Sequence, residues 1–165
     1  MKSTFDSWYA EKMRANPEIS EETDRVEELL DTIRTIAVVG ISRNRHRDSH
    51  FVGRYLKNAG YTIIPVNPGA DQILGEQAYP DLESIPVPVD VVDIFLPETL
   101  IPDVVDQALE IEPEAIWLQL GTGTHDKLKN KVEKRGIDFF QHRCMKVDHQ
   151  FLIRPKKERN EQSVS

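Results

Sequence analysis

The feature that most constrains this chain is a short apolar run, Ile36-Ala37-Val38-Val39, closed by Gly40. It shows no polar alternation, so it reads as a strand buried on both faces, the signature of a parallel sheet. The pattern then recurs. Tyr61–Val66, Val89–Phe95, Ala115–Leu118 and Ile137–Phe140 read as four further strands. Between them lie stripes at helical spacing. Phe51, Val52, Tyr55, Leu56 and Ala59 form one, stopped by Gly60. Leu100, Ile101, Val104, Val105, Ala108 and Leu109 form another, opened by Thr99 with Pro102 in its first turn. A lysine-rich helix leads from Thr124 to Arg135 and ends at Gly136. This alternation predicts an α/β fold, a doubly wound five-stranded parallel sheet with helices on both faces and right-handed crossovers. Such a sheet takes its ligand outside the carboxyl ends of the strands, where strand order reverses. The residues to inspect are therefore Gly40–Ser49, Asn67–Leu74, Leu96–Thr99, Gln119–Thr124 and Phe140–Cys144.

Outside the sheet, Phe5, Trp8, Tyr9 and Met13 share one face of a short helix over 5–14, read as an arm packed on the body. Val26, Leu29, Leu30 and Ile33 mark an amphipathic helix over 20–34, capped by Ser20 and docked on the sheet. The predicted organisation is an N-terminal helical extension packed on the core over 1–34, a ligand-binding domain over 35–153, and a charged, disordered tail over 154–165.

Composition removes several function classes. The net charge is −7 over 165 residues, which argues against a general electrostatic nucleic-acid binder. Cys144 is the single cysteine, so neither an internal disulfide nor a CxxC metal site is available. No apolar run approaches the length of a membrane span, and the amino terminus lacks the apolar core of a signal peptide. The expectation is a cytoplasmic protein without nucleic-acid or membrane partners.

Against that acidic background the first loop reverses sign. Gly40-Ile41-Ser42-Arg43-Asn44-Arg45-His46-Arg47-Asp48-Ser49 carries three arginines in five positions at the start of a helix. Backbone N–H groups there can hold an anion, and Arg43, Arg45 or Arg47 can hold phosphate. The loop lacks the dinucleotide fingerprint, since Ser42 and Arg45 stand where glycines would be needed. Asn67-Pro68 replaces the ribose-binding acid, and no Gly-Lys-Ser/Thr follows. Asn67 can contact a ligand or lock its own turn. Gln119 interrupts an apolar strand near its end and can face the crevice or be a satisfied core amide. Pro97 can supply an apolar wall or simply a turn. His142, Cys144 and His149 match no zinc spacing. A Cys144–His142 pair lacks an orienting group. Asp90 and Asp93 are three apart on a strand and cannot form a dyad.

The run IAVVGISRNRHRDSHFVGRYLKNAGYTIIPVNP, then ILGEQAYPDLESIP, VDVVDIF, IWLQLGT and RC, resembles the stand-alone CoA-binding domain proteins over roughly 34–150. These are similar to the N-terminal domain of the succinyl-CoA synthetase alpha subunit. The resemblance implies a Rossmann-like sheet that binds coenzyme A or an acyl-CoA across its carboxyl edge. It implies phosphate contacts from Gly40, Ile41, Ser42 and Arg43, and a small polar helix-opening residue at Ser49. It places Asn67 and Pro68 after strand two, Ile73 near the adenine, Leu96 and Pro97 by the pantetheine or pyrophosphate arm, and Gln119 at the end of strand four. Leu96-Pro97 departs from the two basic residues many relatives carry, which shifts the electrostatic load onto Arg43, Arg45 and Arg47. None of the five histidines matches the synthetase's phosphorylated histidine. The reading is therefore a CoA-binding module without catalysis, protein partner unspecified. The alternatives are an NAD(H)-binding redox sensor or oxidoreductase, and an acyl-CoA enzyme using Cys144 or a partner subunit.

Overall fold

A computed structural model describes residues 3–164. The chain divides into two compact units, Arg34–Arg143 and a helical unit made of the chain on either side of it.

In the first unit, β1 (Thr35–Val39), β2 (Thr62–Val66), β5 (Val91–Ile94), β6 (Ala115–Gln119) and β7 (Asp138–Arg143) form one sheet in the order β2-β1-β5-β6-β7. Every pairing in it is parallel. This is the five-stranded parallel sheet that the apolar runs predict, and it is Rossmann-like, as the family resemblance implies. Apolar side chains on both faces leave nothing to set against water, so helices must cover both. Helices α4 (Ile101–Glu110) and α5 (Asp126–Glu133) pack on one face through Ile101, Val105, Ala108, Leu109 and Val132, against Ala37, Val39, Val92, Ile94, Ile116 and Leu118. Val52 and Leu56 of α3 (Asp48–Asn58) are buried outside that cluster, and α3 lies against β2. The chain runs from β1 outward to β2, then crosses back to β5 on the other side of β1. Strand order thus reverses between β1 and β5, and the crevice belongs at their carboxyl ends.

Pro65 sits in β2, the edge strand, where a missing N–H costs no ladder bond. Its carbonyl accepts from Tyr79 N–H at 2.9 Å. Between these two residues the chain makes a small hairpin of β3 (Gln72–Ile73) and β4 (Glu76–Gln77), too short to show a strand pattern in the sequence. Leu74 and Gly75 turn it, both at positive φ. Asp90 accepts from Arg34 N–H (2.8 Å) and Thr35 N–H (2.9 Å), tying the start of β1 to the approach to β5.

Asp93 is the anomaly of the sheet. Val92 and Ile94 join the α4–α5 face, so Asp93 points to the other. Its register partners are Val38 and Trp117. It is fully buried, and neither carboxylate oxygen has a hydrogen-bond partner among the described residues. Burial holds its carboxyl well above the ordinary 3.8. The folded chain therefore keeps a proton that the unfolded chain releases, and stability falls as pH rises through that window. Asp93→Leu is expected to gain about 1–3 kcal/mol at neutral pH. Urea melts at pH 8 and pH 4 check this; the gain should shrink at pH 4, and an equal gain at both would show the carboxyl to be hydrated.

The second unit holds α1 (Thr4–Ala15), α2 (Pro17–Thr32), α6 (Met145–Leu152) and α7 (Arg154–Val164). Ser3 caps α1 through Asp6 N–H at 3.0 Å. Helix α2 starts earlier than Ser20. Asn16 caps it through Glu18 N–H (2.9 Å), and Pro17 occupies the first helical position, where its fixed φ favours the start. The Tyr9 hydroxyl accepts from Cys144 N–H at 2.8 Å, and its ring meets Phe151 edge-on. Helix α6 packs with α1 and α2 within the helical unit. The charged C-terminal segment is also helical, where the sequence suggested disorder. Lys, Arg, Glu and Gln are strong helix formers, and Arg154 pairs with Glu158 one turn on at 3.1 Å. No described helix is long and apolar enough to cross a membrane.

Candidate functional site: the carboxyl edge at the strand reversal

The site is assembled from four turns. The first follows β1. Gly40 has φ +83°, and a Cβ there would lie 2.1 Å from the Phe95 carbonyl oxygen and 2.9 Å from Leu96 Cδ2. The loops leaving β1 and β5 meet backbone to backbone at this point, which only glycine permits. Ile41 is fully buried. Its Cδ1 fills the space above Gly53 of α3, where a Cβ would come within 2.7 Å of it.

The next residues wire themselves. Ser42 N–H donates to Ser49 Oγ at 2.9 Å, and the Ser42 carbonyl is 2.8 Å from His50 Nδ1. Ser42 Oγ accepts from Asn44 N–H (3.0 Å), and Asn44 Oδ1 from His46 N–H (2.9 Å). The backbone is thus held while the charged side chains stay outside. Arg43, Arg45 and Arg47 are exposed and form no ion pair among the described residues. Arg47 stands at the N-cap of α3 without a side-chain cap. The first-turn N–H groups therefore lack a capping oxygen, and the positive end of the helix macrodipole lies beside three guanidiniums. The arrangement suits an anion with several oxygens.

The second turn follows β2. Asn67 Nδ2 donates to the Ile41 carbonyl (2.9 Å), and its Oδ1 accepts from Gly69 N–H (2.8 Å). Of its two sequence readings, the turn lock describes these bonds, and the same amide staples the first loop to the second. Pro68 is exposed, and Ile73 is buried in the hairpin. Lys57 pins that hairpin to α3, donating to the Leu74 carbonyl at 2.6 Å and pairing with Glu76 at 3.2 Å.

The third turn follows β5. Leu96 is half-buried and Pro97 exposed, and the exposed Glu98 leans on the fourth turn. There, Gly123 has φ +89°, and a Cβ would lie 2.6–2.8 Å from Glu98 Cδ, Cγ and Oε1. Gln119 ends β6 and is buried, its carbonyl accepting from Thr122 Oγ1 at 2.7 Å. Among the described residues no cluster of His, Cys, Asp and Glu could hold a metal. His149 belongs to α6, and burial with the charges of Lys157 and Arg154 lowers it to about 4.

Residues 34–150 match the family described as CoA binding domain. The chain belongs to that family. The YneT protein of Bacillus subtilis is 35% identical over 124 residues, covering 75% of this chain and 91% of its own. The ADP-forming acetate–CoA ligase II of Archaeoglobus fulgidus is 34% identical over 79 residues, which are 47% of this chain and 12% of the ligase. A solved protein of Pyrococcus horikoshii superposes with TM-score 0.75 at 31% identity, covering 79% of this chain and 92% of its own. One from Thermus thermophilus gives 0.75 at 32%, covering 79% and 98%.

Membership in the CoA binding domain family supports CoA binding, and the matched span is the one the sequence resemblance covers. The structure gathers Gly40, Ile41, Ser42, Arg43, Arg47, Ser49 and Asn67 into one hydrogen-bonded corner at the end of β1. Ile73 joins that corner through its hairpin, and Leu96 touches it at Gly40. Pro97 and Gln119 lie further along the edge, toward β6. Sequence reasoning missed His50, Gly53 and Glu98. A histidine and a glycine early in a helix were available signals, but their contacts, with Ser42 and with Ile41 and Leu74, are set by tertiary packing.

Proposed function

We propose that this CoA-binding-domain protein binds coenzyme A or an acyl-CoA by its phosphates at the carboxyl edge of the sheet, as a binding module without turnover. The observation that carries the reading is the first loop: three guanidiniums without an ion pair among the described residues, around a helix start without a side-chain cap, at the strand reversal of a chain whose net charge is −7. The proposed contacts are the Gly40–Ser42 backbone, Arg43, Arg47 and Ser49 for phosphate. Asn67, Pro68 and Ile73 line the adenine side. Leu96, Pro97 and Gln119 follow the pantetheine arm. Arg45 shares the phosphate charge.

Calorimetric titration with CoA, dephospho-CoA and NADH tests it. Micromolar binding of CoA and none of NADH is expected. Dephospho-CoA should bind about tenfold or more weakly, since a charge-assisted hydrogen bond contributes about 1.5–3 kcal/mol. Equal affinity for CoA and dephospho-CoA would remove the arginines from the 3′-phosphate. Binding of NADH alone would replace the reading with a dinucleotide one.

A further inference from the structure

Beyond the corner just described, the carboxyl edge carries a pair of side chains that no ligand contact above uses. Thr124 Oγ1 lies 2.8 Å from His142 Nε2, and both residues are exposed. That is the spacing of a hydroxyl nucleophile and its base. Two local features build it. The register between β6 and β7 slips between Trp117 and Gln119, and His142 sits at φ +58°, a conformation costly for most side chains. A bulge of this kind re-aims a side chain, here toward Thr124. The loop carrying Thr124 is fixed from both ends: Thr122 Oγ1 donates to the Gln119 carbonyl, and His125 N–H donates to Gln141 Oε1 at 2.8 Å. Gly121 and Gly123, at φ +85° and +89°, leave their N–H groups without an acceptor among the described residues. Such N–H groups beside a hydroxyl can receive the negative charge of an attacked carbonyl.

Distance connects this pair to the ligand. Neighbouring strands lie about 4.8 Å apart, so the end of β6 is about 10 Å from the end of β1, and β7 about 14 Å. A pantetheine arm is comparable to about four residues of extended chain, roughly 14 Å. If the phosphates lie at the arginine loop and the adenine on the β2 side, the sulfur end reaches the β6–β7 edge.

We propose that Thr124 is an acyl acceptor for a bound acyl-CoA, with His142 as its base; this rests on the CoA reading. With the ring proton on Nδ1, His142 Nε2 takes the Thr124 hydroxyl proton while Oγ1 attacks the thioester carbonyl. The carbon–sulfur bond breaks, the CoA thiolate leaves and takes that proton from Nε2, and the acyl group stays as an ester on Thr124. No oxidant or reductant is needed. Nδ1 of His142 has no orienting partner among the described residues, so the transfer is slow and stoichiometric, one acyl group per chain.

The test incubates the full chain with acetyl-CoA and reads intact mass and the acetylated peptide, with CoA affinity measured in parallel by calorimetry. One acetyl group on Thr124 is expected. Thr124→Val removes the accepting oxygen and should abolish the acetyl at this position, with CoA affinity changed less than about twofold. His142→Asn keeps a residue that tolerates positive φ and removes the base; it should slow transfer about a hundredfold or more. CoA bound with no acetyl on Thr124, or acetylation confined to lysines and unchanged in Thr124→Val, would overturn the acceptor while leaving the binding site standing. Absence of CoA binding in the unaltered protein would overturn both.

Discussion

Gly40→Ala is expected to cost about 4 kcal/mol or more, the largest stability loss from adding one methyl group to the sheet unit. Two penalties act together. The residue sits at φ +83°, which costs a non-glycine residue about 1–2 kcal/mol. The new Cβ would also lie 2.1 Å from the Phe95 carbonyl oxygen, far inside contact distance. That oxygen belongs to backbone and cannot swing aside like a flexible side chain. Phe95 N–H is itself held by the Val39 carbonyl at 2.8 Å, and Gly40 N–H by the Val66 carbonyl at 3.0 Å. Relief would have to part β1 from β5 at the centre of the sheet. Urea denaturation of the purified variant measures the loss. A cost below 1 kcal/mol would mean that the two turns do not meet as described. Gly60→Ala is the internal control, because its φ is also positive (+109°) but no atom of the described residues lies within 4 Å of a Cβ there.

Reversing the first-loop charge should have the largest effect on ligand affinity and almost none on folding. Arg43→Glu with Arg47→Glu is expected to weaken CoA binding about a hundredfold or more, as two charge-assisted contacts are lost and two carboxylates face phosphate. Both side chains are exposed and make no ion pair among the described residues, so the unfolding free energy should hold to within the scatter of a surface substitution, about 0.5 kcal/mol. Calorimetry and a urea melt on the same preparation separate the two effects. Unchanged affinity with an unchanged melt would move the phosphates elsewhere on the edge.

The sheet was legible because its strands are apolar on both faces. Ile36–Val39 and Ala115–Leu118 offer no polar residue to mistake for a turn, and the glycines after them mark the exits. The first loop was legible as a reversal of sign. What stayed hidden depends on contacts distant in sequence. Asn67 offered two readings until its amide was seen on the Ile41 carbonyl, 26 residues away. Asp93 resembled any polar residue in a strand, yet neither of its carboxylate oxygens has a hydrogen-bond partner among the described residues. Helix α6 escaped because Met145–Leu152 mixes charge with scattered apolar residues, and its burial with α1 and α2 comes from the packed helices rather than from its own pattern. Pro17 suits the end of one segment or the start of a helix equally; Asn16 capping Glu18 distinguishes the two.

The self-wired first loop bears on the thermodynamics of whatever it holds. Ser42, Asn44, Ser49 and His50 already satisfy one another, so the backbone spends little conformational freedom when a ligand arrives. Ordering falls mainly on the long arginine side chains, at about 2 kcal/mol of rotamer entropy each at most. Association should therefore be fast and weakly dependent on temperature, and its sensitivity should lie in ionic strength. Salt screens exposed guanidiniums over about 8–10 Å at physiological concentrations and leaves the hydrogen-bonded frame untouched.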